Sequence, residues 1–406
     1  MIDRSNRIHT THVGSLVRPP ELVEILLKQQ NGEPVDDALF ATTMQKSVDD
    51  LVARQAEVGV DVVSDGEFGK PISWAQYVLT RLGGLEKRTD IDPARRQWRP
   101  SNDQKEFADF YAEYTANFGP AGMGKQTTIA REPGVWVAGE KIRYTGQAAV
   151  KADIDRLKSA MAAAGVKDGF LPVVAPSSAV PMVVDDQYGS DEAFLFGVAE
   201  ALREEYKAIV DAELMVQIDD AYLASMYDMM VPPSSMADYR KWAETAVEAL
   251  NHALKGIPEE KIRYHVCWGS WNGPHTHDVN ARDIMDIILK VNAGGYSLEM
   301  ANPRHEHEWR VWETFKLPDG RALYPGVVSH CTNIVEHPEL VAERITRLAN
   351  LVGRENVVAS TDCGFAQGPF TRRVHPSIQW AKLRSLSEGA RLATKQLWSR
   401  PAAAST

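Results

Sequence analysis

A histidine and a cysteine stand two residues apart in the run IRYHVC, as His265 and Cys267. Residues i and i+2 of a strand point the same way, so both side chains can face one site. Glu299 closes the run GYSLE, 32 residues beyond Cys267, and Cys363 follows after another 64 residues, just past VVASTD. A strand–helix–strand unit takes ~30 residues or more, so these gaps match one such unit and then two. Strands lying side by side in a parallel sheet would bring these four residues to one rim. Zn2+ accepts imidazole, thiolate and carboxylate in tetrahedral geometry, and ligands from distant strand ends suit a catalytic site better than a structural one. A thiol bound to such an ion is deprotonated near neutral pH and can act as a nucleophile. Spacing alone leaves a second reading open, in which His265 and both cysteines simply fill the core.

The elements that must position these residues are short apolar runs alternating with longer amphipathic stretches. Strand candidates fall at 60–64, 142–145, 170–175, 214–218, 262–267, 296–299, 326–329 and 357–361, with 8–16 as a ninth. Helices are expected between them, among them 193–212, 236–254 and 340–351, the last opened by His337-Pro338. This alternation predicts parallel βα units, and eight strands predict a closed (β/α)8 TIM barrel, an α/β fold whose active sites gather at the C-terminal mouth. The barrel needs only ~250 residues. The surplus is expected as elaborated loops on a single barrel domain spanning 1–406: an inserted helical region around 65–133, rich in aromatics, and a second insertion around 302–324. Residues 401–406 read as a frayed tail. An open doubly wound sheet is the alternative, but no GxGxxG follows any strand candidate.

Composition narrows the function classes. The chain has 406 residues, 45 Lys and Arg against 55 Asp and Glu, and a net charge of −10. This acidic balance lacks the basic stripe that nucleic acid demands. No apolar run approaches the ~18–20 residues of a membrane helix, and the start MIDRSNRIHTTHVG has no apolar signal core. Three cysteines are too few for a disulfide scaffold, which favours a reducing, cytoplasmic setting with free thiols.

With these pieces in hand, the chain resembles the catalytic barrel of the cobalamin-independent methionine synthases and their shorter relatives, which include epoxyalkane:coenzyme M transferases. The matching runs are HVGSL at His12, DGEFGK at Asp65, VQIDD at Val216, YHVCWG at Tyr264, SLE at Ser297, TNIVEHPELVAERI at Thr332 and STDCGF at Ser360. They occur in family order over nearly the whole chain, and the HxC…E…DCG combination is the specific part. The resemblance implies zinc ligands at His265, Cys267, Glu299 and Cys363. It also implies that Ser15, Glu67 and Asp219 grip the substrate thiol compound, and that the protein is a homo-oligomer. Two carboxylates at one rim can hold an ammonium group through charge-assisted hydrogen bonds; taken alone, they could equally be solvated loop acids or helix caps. One departure concerns the acid histidine of the synthases. Ungapped pairing from Gly326-Val327 puts Cys331 at that position and His330 one residue before it. The resemblance covers the catalytic barrel without the additional N-terminal barrel of the full synthases, which leaves methyl-folate unassigned.

Seven of the eleven histidines lie between His265 and His337. His275, His277, His305 and His307 are expected on rim loops, solvated in the ordinary way. Arg304 can meet an anionic substrate group or pair with Glu306 or Glu308. Met226, Met229 and Met230 are expected to fill the core. The leading expectation is a zinc-dependent S-alkyltransferase that takes a small thiol and an alkyl donor, with His330 as acid and methyl transfer to a thiol such as homocysteine as the main form. Thiol addition to an epoxide is the alternative within this chemistry. A zinc hydrolase or lyase with Glu67 or Asp219 as base, and a non-enzymatic thiol- or metal-binding barrel, are competing readings. Two cysteine ligands make zinc a weaker Lewis acid and disfavour the hydrolase.

Overall fold

The computed structural model describes residues 3–118 and 134–399. The tail at 401–406 and the 119–133 part of the first insertion lie outside the described residues. Eight strands form one parallel sheet: β1 His9–Thr10, β2 Val62–Val63, β3 Asp168–Val174, β4 Met215–Asp219, β5 Ile262–Val266, β6 Gly295–Leu298, β7 Ala322–Val328 and β8 Val358–Thr361. Their spatial order is β1-β8-β7-β6-β5-β4-β3-β2, so sequence neighbours are sheet neighbours and β1 meets β8. The circle is completed where Asp61 N–H donates to Thr10 O at 3.0 Å. The fold is thus the expected (β/α)8 barrel.

The count of eight stands, but one member changes. The expected strand at 142–145 is the end of Val135–Tyr144, which pairs with Leu82–Arg88 and Val183–Asp185 in a separate three-stranded sheet. Its place in the barrel is taken by β1, from the ninth candidate at 8–16. The physical reason is visible in the side chains. Lys141 and Arg143 are exposed while Ile142 and Tyr144 are buried, the alternation of a sheet wet on one face. By contrast, every residue of β5 and β7 is buried. The first insertion therefore contributes one strand, Leu82–Arg88, to this small sheet as well as the helices Asn102–Glu106 and Ala108–Phe118.

The outer layer follows local rules. Helix Pro338–Val352 begins with Pro338 in its first turn and His337 Nδ1 accepting Glu339 N–H, and helix Met236–Leu254 opens with a Ser235/Asp238 capping box. The expected helix at 193–212 is Asp191–Asp211. Outward-facing Tyr264 donates to Asp220 at 2.8 Å, and the inward residues flanking it are Arg263 and His265. Arg263 lies inside the barrel with its guanidinium 3.8 Å from the Phe170 ring centre and 5.1 Å from that of Tyr324. It donates to Thr11 Oγ1 and to His12 O. These bonds and cation–π contacts stand in for the water a buried cation loses.

The loop after β1 is fixed from behind by His12. Gly14 N–H donates to His12 Nδ1 at 3.1 Å, so His12 Nε2–H donates to Gln55 Oε1 at 2.7 Å. Gln55, on helix Asp37–Glu57, also bonds both the N–H and the C=O of Ser64 after β2. One helix residue thereby ties two strand ends. Burial lowers the His12 pKa from 6.5 to about 4. The folded state therefore keeps His12 neutral where the unfolded chain takes up a proton. Stability is complete above pH ~6.5 and declines as pH falls towards ~4, by roughly 3 kcal/mol from this group. Urea unfolding of wild type and His12→Gln at pH 7.5 and 4.5 should show a smaller pH loss in the variant. An equal loss in both would show that His12 does not contribute.

Candidate active site

His265, on β5, and Cys267, one residue past its end, project into the mouth of the barrel, and Cys363 arrives two residues past β8. The ligand atoms of these three buried residues all lie within 4.8 Å of one another. Ser297 Oγ lies 3.2 Å from His265 Nδ1, leaving the buried Nε2 with no hydrogen-bond partner. The two sulfur atoms are 3.8 Å apart. Two thiolates at ~2.3 Å from one tetrahedral ion would be separated by about that distance. The contact with Cys363, together with burial, pushes the Cys267 thiol well above its ordinary range. An orphaned imidazole nitrogen and two crowded thiols form a donor set able to hold a metal ion, and their chemistry fits Zn2+.

Glu299, the fourth expected ligand, lies outside this group of three. Its buried carboxylate accepts Trp268 N–H at 3.2 Å and the Asn302 amide at 2.7 Å. Burial pushes it well above the usual carboxylate range. Asp362, beside Cys363, accepts Met300 and Ala301 N–H at 2.8 Å each and also Asn302. It therefore ties the Glu299 loop to the Cys363 loop. Spacing gave no hint of this role, although Asp362 sits inside the STDCGF run.

Ser15, Glu67 and Asp219 line the same cavity as His265, Cys267 and Cys363, and its volume is about 110 Å3. Each hangs from its own strand end. Gly364 brings the Ser15 loop close, since a Cβ there would lie 2.7 Å from Ser15 Cβ. Ser15 Oγ is buried without a partner. Glu67 sits in the left-handed region at φ 61°, a strain of the kind that gathers at functional sites. The strain is held by Asp65, which accepts Glu67 N–H at 2.9 Å, and by Arg18, which donates to Glu67 O. Lys70 Nζ lies 3.4 Å from the Glu67 carboxylate. Gln217 donates to Asp219 Oδ1 at 2.7 Å, and burial pushes Asp219 up to about 7. Gln217 was missed, yet its i−2 spacing from Asp219 on β4 was legible. Trp74 and Trp98 from the insertion and Tyr222 after β4 line the cavity, with Tyr222 5.7 Å and 5.2 Å from the two indoles. Met226 packs in the core, whereas Met229 reaches this cavity.

His330, Cys331, Glu299 and Arg304 line a neighbouring cavity that shares Gly269 and Trp271 with the first. His330 is buried and neither ring nitrogen has a partner. Burial pushes its pKa well down, so the ring is neutral. Arg304 is exposed and donates to Thr276 O; Glu306 pairs with Arg344 instead, and Glu308 caps Ala281 N–H. The solvated reading of His275 and His305 is corrected. Their side chains are 12% and 4% exposed, and both bond Asp278, at 3.1 Å and 2.9 Å. The sequence separates His305 from Asp278 by a whole strand, so only the fold could reveal this cluster.

Residues 132–380 match the model of the family described as cobalamin-independent synthase, catalytic domain. Protein YxjH of Bacillus subtilis is 26% identical over 92% of this chain and 91% of its own length. A methionine synthase of Thermococcus kodakarensis is 22% identical over 96% and 94%. The 2-hydroxypropyl-CoM lyase of Xanthobacter autotrophicus is 29% identical over 37% of this chain and 46% of its own. Among solved structures, the B12-independent methionine synthase of Shewanella sp. W3-18-1, in complex with selenomethionine, superposes over 97% of this chain and 100% of that one, with a TM-score of 0.70 and 18% identity. No helix among the described residues is long and apolar enough to cross a membrane. Barrel, strand-end residues and family match agree: the chain belongs to the cobalamin-independent synthase catalytic-domain family.

Proposed function

We propose that this protein is a zinc-dependent S-alkyltransferase that joins an alkyl group to the sulfur of a small thiol, with methyl transfer to a homocysteine-like thiol as its main form. The observation that carries this reading is the buried His265 Nε2 and the two sulfurs of Cys267 and Cys363, aimed at one point in a cavity that also holds Ser15, Glu67 and Asp219. His265, Cys267 and Cys363 would hold the ion, with Glu299 as an exchangeable fourth ligand. Bound there, Zn2+ supplies acidification of the substrate thiol, keeping its sulfur as thiolate at neutral pH.

The protein's own groups do the rest. Glu67 and Asp219 bind the substrate ammonium, and Ser15 Oγ offers a hydrogen bond to its carboxylate. The aromatic wall of Trp74, Trp98 and Tyr222 keeps water from the sulfur. As the sulfur–carbon bond forms, the electron pair of the breaking bond passes to the leaving group, which needs a proton. The neutral His330, with both nitrogens unpartnered, would take up the proton that the substrate thiol releases on ionising and, as imidazolium, give it to the leaving group. The likeness to a 2-hydroxypropyl-CoM lyase supports a second reading, in which the electrophile is an epoxide and the leaving alkoxide stays on the product.

Purified wild type should carry one zinc per chain by elemental analysis, and Cys363→Ala or His265→Ala should lose most of it and all activity. Full zinc and activity in Cys363→Ala would end this reading. Asp219→Asn removes one charge-assisted contact, worth ~1.5–3 kcal/mol. It should raise the KM for an amino-acid thiol about 10–100-fold at unchanged zinc content, whereas an unchanged KM would exclude this site for the ammonium. His330→Asn should lower kcat by about 10^2 while thiol binding persists, and an unaffected kcat would remove it from the proton path.

A further inference from the structure

The cavity that shares the His265, Cys267 and Cys363 set is small. Its volume of about 110 Å3 is the smaller of two adjoining spaces. The neighbouring cavity is about 340 Å3, within the range of sites that hold metabolite-sized ligands. The two meet at Gly269 and Trp271.

Trp271 is a built wall. A Cβ on Gly269 would lie 1.9 Å from its ring, so only glycine there lets the indole fold back over its own loop. Trp271 Nε1–H donates to Tyr111 OH at 3.0 Å, and Tyr111 in turn donates to Asp103 at 2.6 Å; both partners belong to the inserted region. The Trp271 ring lies 4.3 Å from that of His275.

The polar groups of the second cavity are unevenly engaged. Glu299 is bonded by Trp268 and Asn302, and Asp278 by His275 and His305. His330 alone is buried with both nitrogens unpartnered. Arg304 stands at the mouth as an exposed, permanently charged group with one bond to a carbonyl. The pairing with Asp278 raises both His275 and His305 and lowers Asp278, so these groups offset one another and Arg304 stands outside the cluster.

We propose that the cavity across Trp271 is the seat of the second substrate, and that this substrate is a small electrophile bearing a carboxylate or sulfonate that Arg304 receives while a polar atom of the molecule meets His330. Its identity as the alkyl donor rests on the alkyltransferase reading above; the anion-binding cavity itself does not.

Cys331 lines this cavity and reports on it. The zinc-loaded full-length protein is treated at alkaline pH with iodoacetate, which is anionic, or iodoacetamide, which is neutral, and alkylation of Cys331 is followed by peptide mass spectrometry. Glutathione gives the intrinsic rate ratio of the two reagents. The expected result is saturable labelling by iodoacetate, with a preference at least 10-fold above the glutathione ratio. Arg304→Ala should abolish the preference and Arg304→Lys should largely restore it. Protection by propionate or by propane-1-sulfonate then tells which anion fits better. A Cys331 ratio equal to that of glutathione, no change in Arg304→Ala, or a cavity closed to both reagents would each overturn the proposal. Turnover is not needed for any of these readouts. Saturable labelling in a protein with no alkyl transfer would therefore keep the cavity and discard the function, whereas alkyl transfer without anion preference would do the reverse.

Discussion

The site depends on polar atoms that the fold carries into a water-poor interior and then leaves unpaired. A buried donor or acceptor without a partner costs about 1–3 kcal/mol, so most are satisfied. Some of the buried charges of this protein follow that rule. Arg81 bonds both Glu205 and Asp153 at 2.6 Å, and the fully buried Lys382 pairs with Glu336 at 2.8 Å. At the barrel mouth several groups are left open. His265 Nε2, Ser15 Oγ and both nitrogens of His330 are buried with no partner. A bound ion or substrate would offset the desolvation of these atoms.

The residues that carry these atoms are oriented from behind by hydrogen bonds. His265 is oriented through Ser297, Asp219 through Gln217, and the Glu67 turn through Asp65 and Arg18. His330 follows Ser329, whose N–H donates at 2.8 Å to Glu336, the partner of Lys382. Asp362 joins two strand-end loops with three hydrogen bonds. Each support comes from a different strand or helix, so the reactive groups are located by the whole barrel rather than by one loop. Breaking any one support leaves a second buried group unpaired, which is why such networks are energetically sensitive.

The insertion completes the site from outside. Its aromatics roof the metal-side cavity, and its helices reach the loop after Cys267 through Tyr111 to Trp271, Asp103 to Thr276 and Glu106 to His277. A rigid scaffold with a variable cover is the usual way for barrels of this kind to change substrate. The same loop bears a metal-ligand candidate and the wall between the two cavities, so the cover shapes both cavities at once.

Much of this was legible in the sequence because parallel βα units repeat at a regular spacing. That spacing sends His265, Cys267 and Cys363 to one rim, the resemblance to the synthase barrels adds Ser15, Glu67 and Asp219, and the structure has all six around one cavity. Strand membership was less legible. The 142–145 run is apolar enough to read as a barrel strand, and only its alternating Lys141 and Arg143 betray a half-exposed sheet. Glu299 was expected as a fourth metal ligand, but the sequence could not tell that Trp268 and Asn302 hold its carboxylate outside the His–Cys–Cys group. The burial of His275 and His305 on Asp278, and the division of the mouth into two cavities by Trp271, arise from contacts between segments far apart in the chain. Local pattern determines which strand end a residue occupies; only packing in three dimensions decides what that residue touches and which polar atoms are left for a ligand.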